Sequence, residues 1–205
     1  MSDEDRQRWD QRYAQGAYRD RDHPSGILVR ACTDGTLPAV ATAARMPRAL
    51  DVACGAGRNA RYLAGLGYAV DAVDISAVAL ARGRELAATR GLSVNWLPAD
   101  LESATASWLP AARYDLIVVI RYLNLPLVSE LAQRLVAGGM LICETHLQTQ
   151  AVVAGPRGAR FRAAPGALAQ AAHGLQILLS VEGLVTDPDG ATSCLARLIG
   201  AAPSQ

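Results

Sequence analysis

The chain has 205 residues, of which 51% are hydrophobic, with 20 basic and 19 acidic side chains giving a formal net charge of +1. Such a length suits one well-buried domain, and such a balance argues against a nucleic-acid surface or a polybasic membrane contact. Every basic residue is arginine, which removes Schiff-base and P-loop chemistry, since both need a lysine amine.

The stretch from Ser2 to Arg12 is charged and polar, with no signal-peptide core, and no apolar run reaches the length of a membrane span, so a cytoplasmic location is expected. Residues 3–15 read as a helix with acids in its first turn, where the helix dipole favours them, and Gly16 ends it. Trp9 and Tyr13 stand four apart and share one face, so they either anchor this helix to the core or cover a ligand as a lid. After the break at His23-Pro24-Ser25-Gly26, Ile27 to Cys32 forms a second short helix, and the alanine-rich residues 39–45 a third. The expected division is one domain over 1–205, with a helical lid over 1–45 and an α/β core over 46–205.

From there strand and helix alternate. Strands are expected at Ala49–Ala53, Tyr68–Ile75, Ser93–Pro98, Tyr114–Ile120 and Met140–Thr145, with helices at Arg58–Leu66, Ala77–Thr89 and Pro126–Val136. Leu116-Ile117-Val118-Val119-Ile120 is apolar on both faces, as a strand between two helix layers must be. A loop over 148–165 carrying Arg157, Arg160 and Arg162 leads to a helix at Gly166–His173. Leu175–Val185 and Thr192–Ile199 are joined by Asp187-Pro188-Asp189-Gly190, which leaves no room for a crossover helix, so this last pair is antiparallel. The fold class is therefore α/β, a doubly wound, mostly parallel seven-stranded sheet with a terminal antiparallel hairpin.

In such a sheet, ligands lie at the carboxyl ends of the strands. After the first strand, Gly55 and Gly57 let the backbone turn tightly and approach a ligand, ahead of a helix start with unpaired N–H groups and Asn59 on its first turn. Gly55 to Ala60 also satisfies the loose G-x-G-x-x-G/A dinucleotide pattern. Asp51 speaks against a phosphate there, because a carboxylate just before the glycines repels an anion and welcomes a cation. Asp74, about twenty residues beyond the glycines, suits the two hydroxyls of a ribose, or else caps the next helix, with Ile75 beside it.

The sequence Asp51-Val52-Ala53-Cys54-Gly55-Ala56-Gly57 resembles the first motif of the class I S-adenosylmethionine (SAM) dependent methyltransferases, with Ala53 where that family usually carries glycine. Extended backbone at Ala53 would make that departure a small one. Trp9-Asp10-Gln11-Arg12-Tyr13, Arg58-Asn59-Ala60-Arg61-Tyr62-Leu63-Ala64 and Glu144-Thr145-His146 look most like the small tellurite-resistance and thiopurine-type methyltransferases. The resemblance implies SAM as cofactor and a small-molecule methyl acceptor, with no nucleic acid, membrane or metal partner, in a monomer or homodimer. It implies that Trp9, Arg12 and Tyr13 close over the cofactor, with Arg12 available to its carboxylate, and that Asp100 and Leu101 hold the adenine. Three acids at three consecutive strand ends, Asp51, Asp74 and Asp100, would then surround a cofactor bearing a sulfonium and no phosphate.

The same resemblance puts acceptor-facing groups after the fourth strand, at Arg121, Tyr122 and Asn124, where the D/N-P-P-Y/F signature of adenine methylation is absent. His146, after the fifth strand, is either a general base beside the acceptor or a hydrogen-bonded spectator, and Tyr122 is the other candidate for moving a proton. Arg157, Arg160 and Arg162 either form a rim for an anionic acceptor or a solvated surface. A protein that binds SAM without turnover and an NAD-dependent oxidoreductase remain as alternatives. Cys32, Cys54, Cys143 and Cys194 form no C-x-x-C pair, and His23 and His173 have no clustered partners, so no metal site is expected.

Overall fold

A computed structural model describes residues 3–37, 45–102 and 112–204. The expected helix over 39–45 falls outside them apart from Arg45, as does the less regular stretch holding Trp108 and Pro110 between the third and fourth expected strands. In chain order the elements begin α1 (Asp3–Ala14), α2 (Gly26–Thr33), β1 (Arg48–Val52), α3 (Arg58–Gly65), β2 (Ala69–Asp74), α4 (Ala77–Ala88) and β3 (Asn95–Pro98). They continue with β4 (Tyr114–Ile120), α5 (Leu125–Ala132), β5 (Leu135–His146), α6 (Ala167–Ala171), β6 (Gln176–Thr186) and β7 (Thr192–Ala201). The strand order is β3-β2-β1-β4-β5-β7-β6, the mostly parallel seven-stranded α/β arrangement expected from the alternation. The chain divides into two compact units, Met1–Pro24 with Pro38–Ala112, and Ser25–Leu37 with Arg113–Gln205.

In the first unit β1, β2 and β3 are parallel, with Asp51 opposite Ala72 and Asp74 opposite Pro98, so the ends of these strands lie side by side. Its core is the apolar filling of these strands and helices, with Leu50, Val52, Leu63, Ala72 and Val73 fully buried. Helix α4 starts where it does because Ser76 accepts a hydrogen bond from the Ala79 N–H at 3.1 Å, using one of the orphan donors of the first turn.

In the second unit β4 and β5 are parallel, while β7 runs antiparallel to both β5 and β6. The hairpin expected at the end is present, with its second strand on the inside. Position decides burial: nearly all of β7 is buried between its neighbours, whereas β6 is exposed or half-exposed throughout. Helix α5 is shorter than expected, because β5 begins at Leu135 and passes through Gly138 and Gly139 instead of starting after them. The register shifts between Tyr114 and Leu116, Gly138 has a φ of 71°, and a Cβ on Gly139 would lie 2.9 Å from the Tyr114 carbonyl oxygen. The glycine pair is thus an irregularity within a strand and not a helix stop.

Candidate functional site

The carboxyl ends of β1 and β2 converge on the glycine turn. Asp51 is fully buried, and its Oδ2 accepts the Ala60 N–H at 2.9 Å, capping α3 from the strand before it. Burial pushes the Asp51 carboxyl up to about 7, against the lowering effect of the Ala60 hydrogen bond and the Arg58 charge. Asp74, also buried, accepts the Gly55 N–H at 2.7 Å and the Ser76 N–H at 2.9 Å. Burial raises its pKa, opposed by these hydrogen bonds. Asp74 therefore does not cap α4, which Ser76 does, but ties the end of β2 to the turn after β1.

The turn itself is left-handed at three positions. Gly55 has φ 56°, Gly57 has φ 70°, and Ala53 has φ 54°. The extended backbone expected at Ala53 is not what the chain adopts; the position is one a glycine fills without strain, and alanine costs about 1–2 kcal/mol there. Gly57 has a second reason to be glycine, because a Cβ would collide with the Trp96 ring, which also packs on Gly83. At Gly55 a Cβ would collide with the Tyr13 hydroxyl.

Tyr13 is thus the α1 residue that reaches the turn. Burial, with the Asp74 carboxylate as the second cause, pushes its pKa far up, so the phenol is neutral. Trp9 is half-buried, with its ring centroid 6.4 Å from that of Tyr13, and Arg12 is exposed, with its guanidinium 5.0 Å from the Trp9 ring and donating to the Tyr18 hydroxyl at 3.1 Å. The segment 3–24 is fastened along its length. Asp10 accepts from Ser76 Oγ at 2.7 Å and Val78 N at 3.2 Å, Arg82 donates to Ala17 O at 3.2 Å, Arg58 donates to His23 O at 3.1 Å, and Asp22 pairs with Arg61 and Arg90. Arg61, almost wholly buried, also donates to Ala56 O within the glycine turn. In the sequence Asp22 was not singled out, and Asp10 and Arg61 stood only within longer motifs; an arginine three residues beyond Arg58 on the same helix face was the available signal.

The other expected positions of this unit are placed as follows. Asn59 is buried on α3, Ile75 is half-buried after β2, and Leu101 is buried beyond β3. Asp100 is half-buried and accepts the Glu102 N–H at 2.9 Å, an Asx turn that fixes the chain after β3.

In the second unit, Arg121 follows β4 with φ 62°. Its Nε lies 2.6 Å from Glu144 Oε1, one Nη 3.1 Å from Ser193 Oγ, and the other 2.9 Å from Asp187 Oδ2, so all three guanidinium nitrogens are engaged. The residue expected to face an acceptor is a clamp between the ends of β4 and β5 and the β6–β7 turn. Asn124 is an N-cap, its Oδ1 accepting the Leu127 N–H at 3.1 Å. Tyr122 is half-buried and shares a shallow recess with Val119, Asn124, Cys143, Thr145 and Leu168. Burial pushes the Cys143 thiol up to about 12, which keeps it protonated.

His146 is buried at the end of β5, and Gly155, at φ 115°, lies against its ring so closely that a Cβ would sit 2.6 Å from Nδ1. The loop 148–165 therefore folds back over the imidazole. Arg162 holds it there by donating to Pro156 O at 2.8 Å and Leu147 O at 2.9 Å, while Arg157 and Arg160 are exposed and Arg160 stacks on Phe161. Of the three arginines, one belongs to the loop's own framework. Among the described residues, no helix is long and apolar enough to cross a membrane.

Residues 49–139 match the family model for a methyltransferase domain. Many solved structures resemble the chain, among them the following three. TehB from Haemophilus influenzae is 22% identical with a TM-score of 0.69, covering 87% of this chain, which spans 62% of TehB. The N-methyltransferase NodS from Bradyrhizobium japonicum WM9 is 17% identical with a TM-score of 0.63, over 91% of this chain and 96% of NodS. Magnesium protoporphyrin IX methyltransferase (ChlM) from Synechocystis PCC 6803 with bound SAM is 17% identical with a TM-score of 0.58, over 86% and 76%. At these identities the likeness is one of fold. No curated protein matches in sequence.

Proposed function

We propose that this chain, taken as one domain over 1–205, is a cytoplasmic SAM-dependent methyltransferase acting on a small-molecule acceptor. The reading rests on one observation above the rest: two buried carboxylates, Asp51 and Asp74, hold the Gly55–Gly57 turn from either side. A turn flanked in this way suits a cationic, phosphate-free adenosine ligand better than a pyrophosphate. The methyltransferase-domain match over 49–139 supports the same reading.

When bound, SAM supplies a methyl group already activated by its sulfonium. The chain's own work is to bind, orient and exclude water. Asp74 would offer its carboxylate oxygens to ribose hydroxyls, Ile75 and Leu101 would cover the adenine, and Asp100 would accept from its amino group. Trp9, Arg12 and Tyr13 would close over it, with Asn59, Gly55 and Gly57 lining the turn. Alignment of a nucleophile with the methyl carbon supplies about 7–11 kcal/mol of the barrier lowering. With SAM held there, an acceptor brought into line would take the methyl group and leave S-adenosylhomocysteine. A thiolate or reduced chalcogen needs no base, whereas an oxygen or nitrogen acceptor passes its proton to His146 or Tyr122, with Arg121 holding the strand ends that carry them.

The test is S-adenosylhomocysteine release from SAM across a panel of small thiols, chalcogen oxyanions, amines and phenols. Turnover with one class, lost in Asp74→Asn, establishes the activity. Tight SAM binding with no turnover on any class would make the chain a binding protein instead.

A further inference from the structure

His146 is buried, yet what lies over its ring is thin. Gly155 sits so close that a Cβ there would come within 2.4 Å of the imidazole Cε1, and Gly155 is itself exposed on its other side. A single layer of backbone therefore separates the imidazole from solvent. The fit depends on the missing side chain, and the φ of 115° at Gly155 is one that glycine adopts freely and other residues resist.

The span that carries this glycine is anchored at its ends and lightly held between them. At its neck, Leu147 and Ala163 are buried and form a β-bridge. The Ala163 N–H donates to His146 O at 2.7 Å, the Gln148 N–H to Ala163 O at 2.9 Å, and Arg162 to Leu147 O at 2.9 Å. From Thr149 to Phe161, by contrast, no residue is buried. One backbone hydrogen bond ties this span to β7, from the Ala154 N–H to Thr192 O at 2.8 Å. Val152 is wholly exposed and Phe161 is 40% exposed, so closure leaves the span's apolar side chains in water. A loop that closed for stability would turn them inward. Arg162 also donates to Pro156 O at 2.8 Å, which keeps the span in shape as it moves. A firm neck, a single latch and no buried residue between them are the marks of a segment that opens locally while the fold stays intact. What closure accomplishes is the shielding of His146.

We propose that residues 149–161 form a flap that turns on the neck at Leu147 and Ala163, shielding His146 through Gly155 when closed and admitting a methyl acceptor to it when lifted. The use of the flap rests on the reading of His146 as the acceptor's base. Its motion does not, and the test needs neither SAM nor turnover, so failure of either leaves the other standing. Diethylpyrocarbonate acylates an accessible imidazole nitrogen, and peptide masses separate the products of the three histidines, His23, His146 and His173. In the wild type His146 reacts to completion, but at least roughly tenfold more slowly than the exposed His173, at a rate set by lifting of the flap. Gly155→Val has a side chain with no place on the ring, and Ala154→Pro lacks the N–H that Thr192 O accepts. Each variant brings His146 to within about threefold of His173 and leaves the rate at His23 unchanged, which shows the rest of the fold intact. A wild-type His146 that reacts as fast as His173, or that stays unmodified in the folded chain, overturns the flap. So do variants in which His146 and His23 both keep their wild-type rates.

Discussion

Ala53 shows how one side chain carries both the family pattern and a departure from it. The alanine was visible in the sequence, but its left-handed φ of 54° was not, because it follows from how the glycine turn is tied to β2 through Asp74. Ala53→Gly relieves about 1–2 kcal/mol of backbone strain and adds back roughly 0.4–1 kcal/mol of unfolded-state entropy. Urea unfolding should therefore show a gain of roughly 0.5–1 kcal/mol, and a loss would contradict the strain. Asp51 makes a prediction in pH. Its carboxyl stands at about 7 in the folded chain against an ordinary 3.8, so between those values the folded protein keeps a proton the unfolded chain has lost. The contribution is fully present below the ordinary value, falls as pH rises, and levels off above about 7. Asp51→Asn keeps an acceptor for the Ala60 N–H and should flatten this decline, as measured by chemical unfolding across that range. Acids in apolar strands are readable because nothing else explains a charge there. Tyr13 was harder, since the same aromatic stripe serves an anchor or a lid until packing on Gly55 decides. Asn124 has a structural task that the sequence also signals, since a lone asparagine directly before a Leu-Pro-Leu helix start is a capping residue.

Among the elements, helices and strands of the alternating core were legible because their apolar runs and turn residues agree. β5 was misjudged at its start because Gly138-Gly139 reads as a break, and only the close approach to Tyr114 O shows the pair to lie within the strand. The clamp at Arg121 could not be read at all, since Glu144, Asp187 and Ser193 lie 23 to 72 residues away from it in sequence. Arg121 and its carboxylates are buried or nearly so. Removing the cation leaves Glu144 and Asp187 without their partner, so Arg121→Ala should destabilise the fold by roughly 3–5 kcal/mol. Arg121→Lys, which keeps the charge and loses the fork, should recover only part of it. An alanine variant as stable as the wild type in urea would show that the three contacts carry no weight.

At the level of the whole molecule, the strand alternation gave the sheet, and the short Asp187-Pro188-Asp189-Gly190 turn gave the antiparallel pair, since two strands so joined have one arrangement open to them. What periodicity did not reveal was that β7 lies inside β6, which leaves the more apolar-looking strand at the edge. Cofactor choice is the claim on which the functional account turns. Calorimetric titration with SAM, S-adenosylhomocysteine and NAD, repeated with Asp74→Asn, addresses it directly. Both sulfur compounds should bind at micromolar concentration, about −8 kcal/mol, at least roughly tenfold more weakly in the variant, with no heat from NAD. Binding of NAD with neither sulfur compound would contradict it from the glycine turn onward.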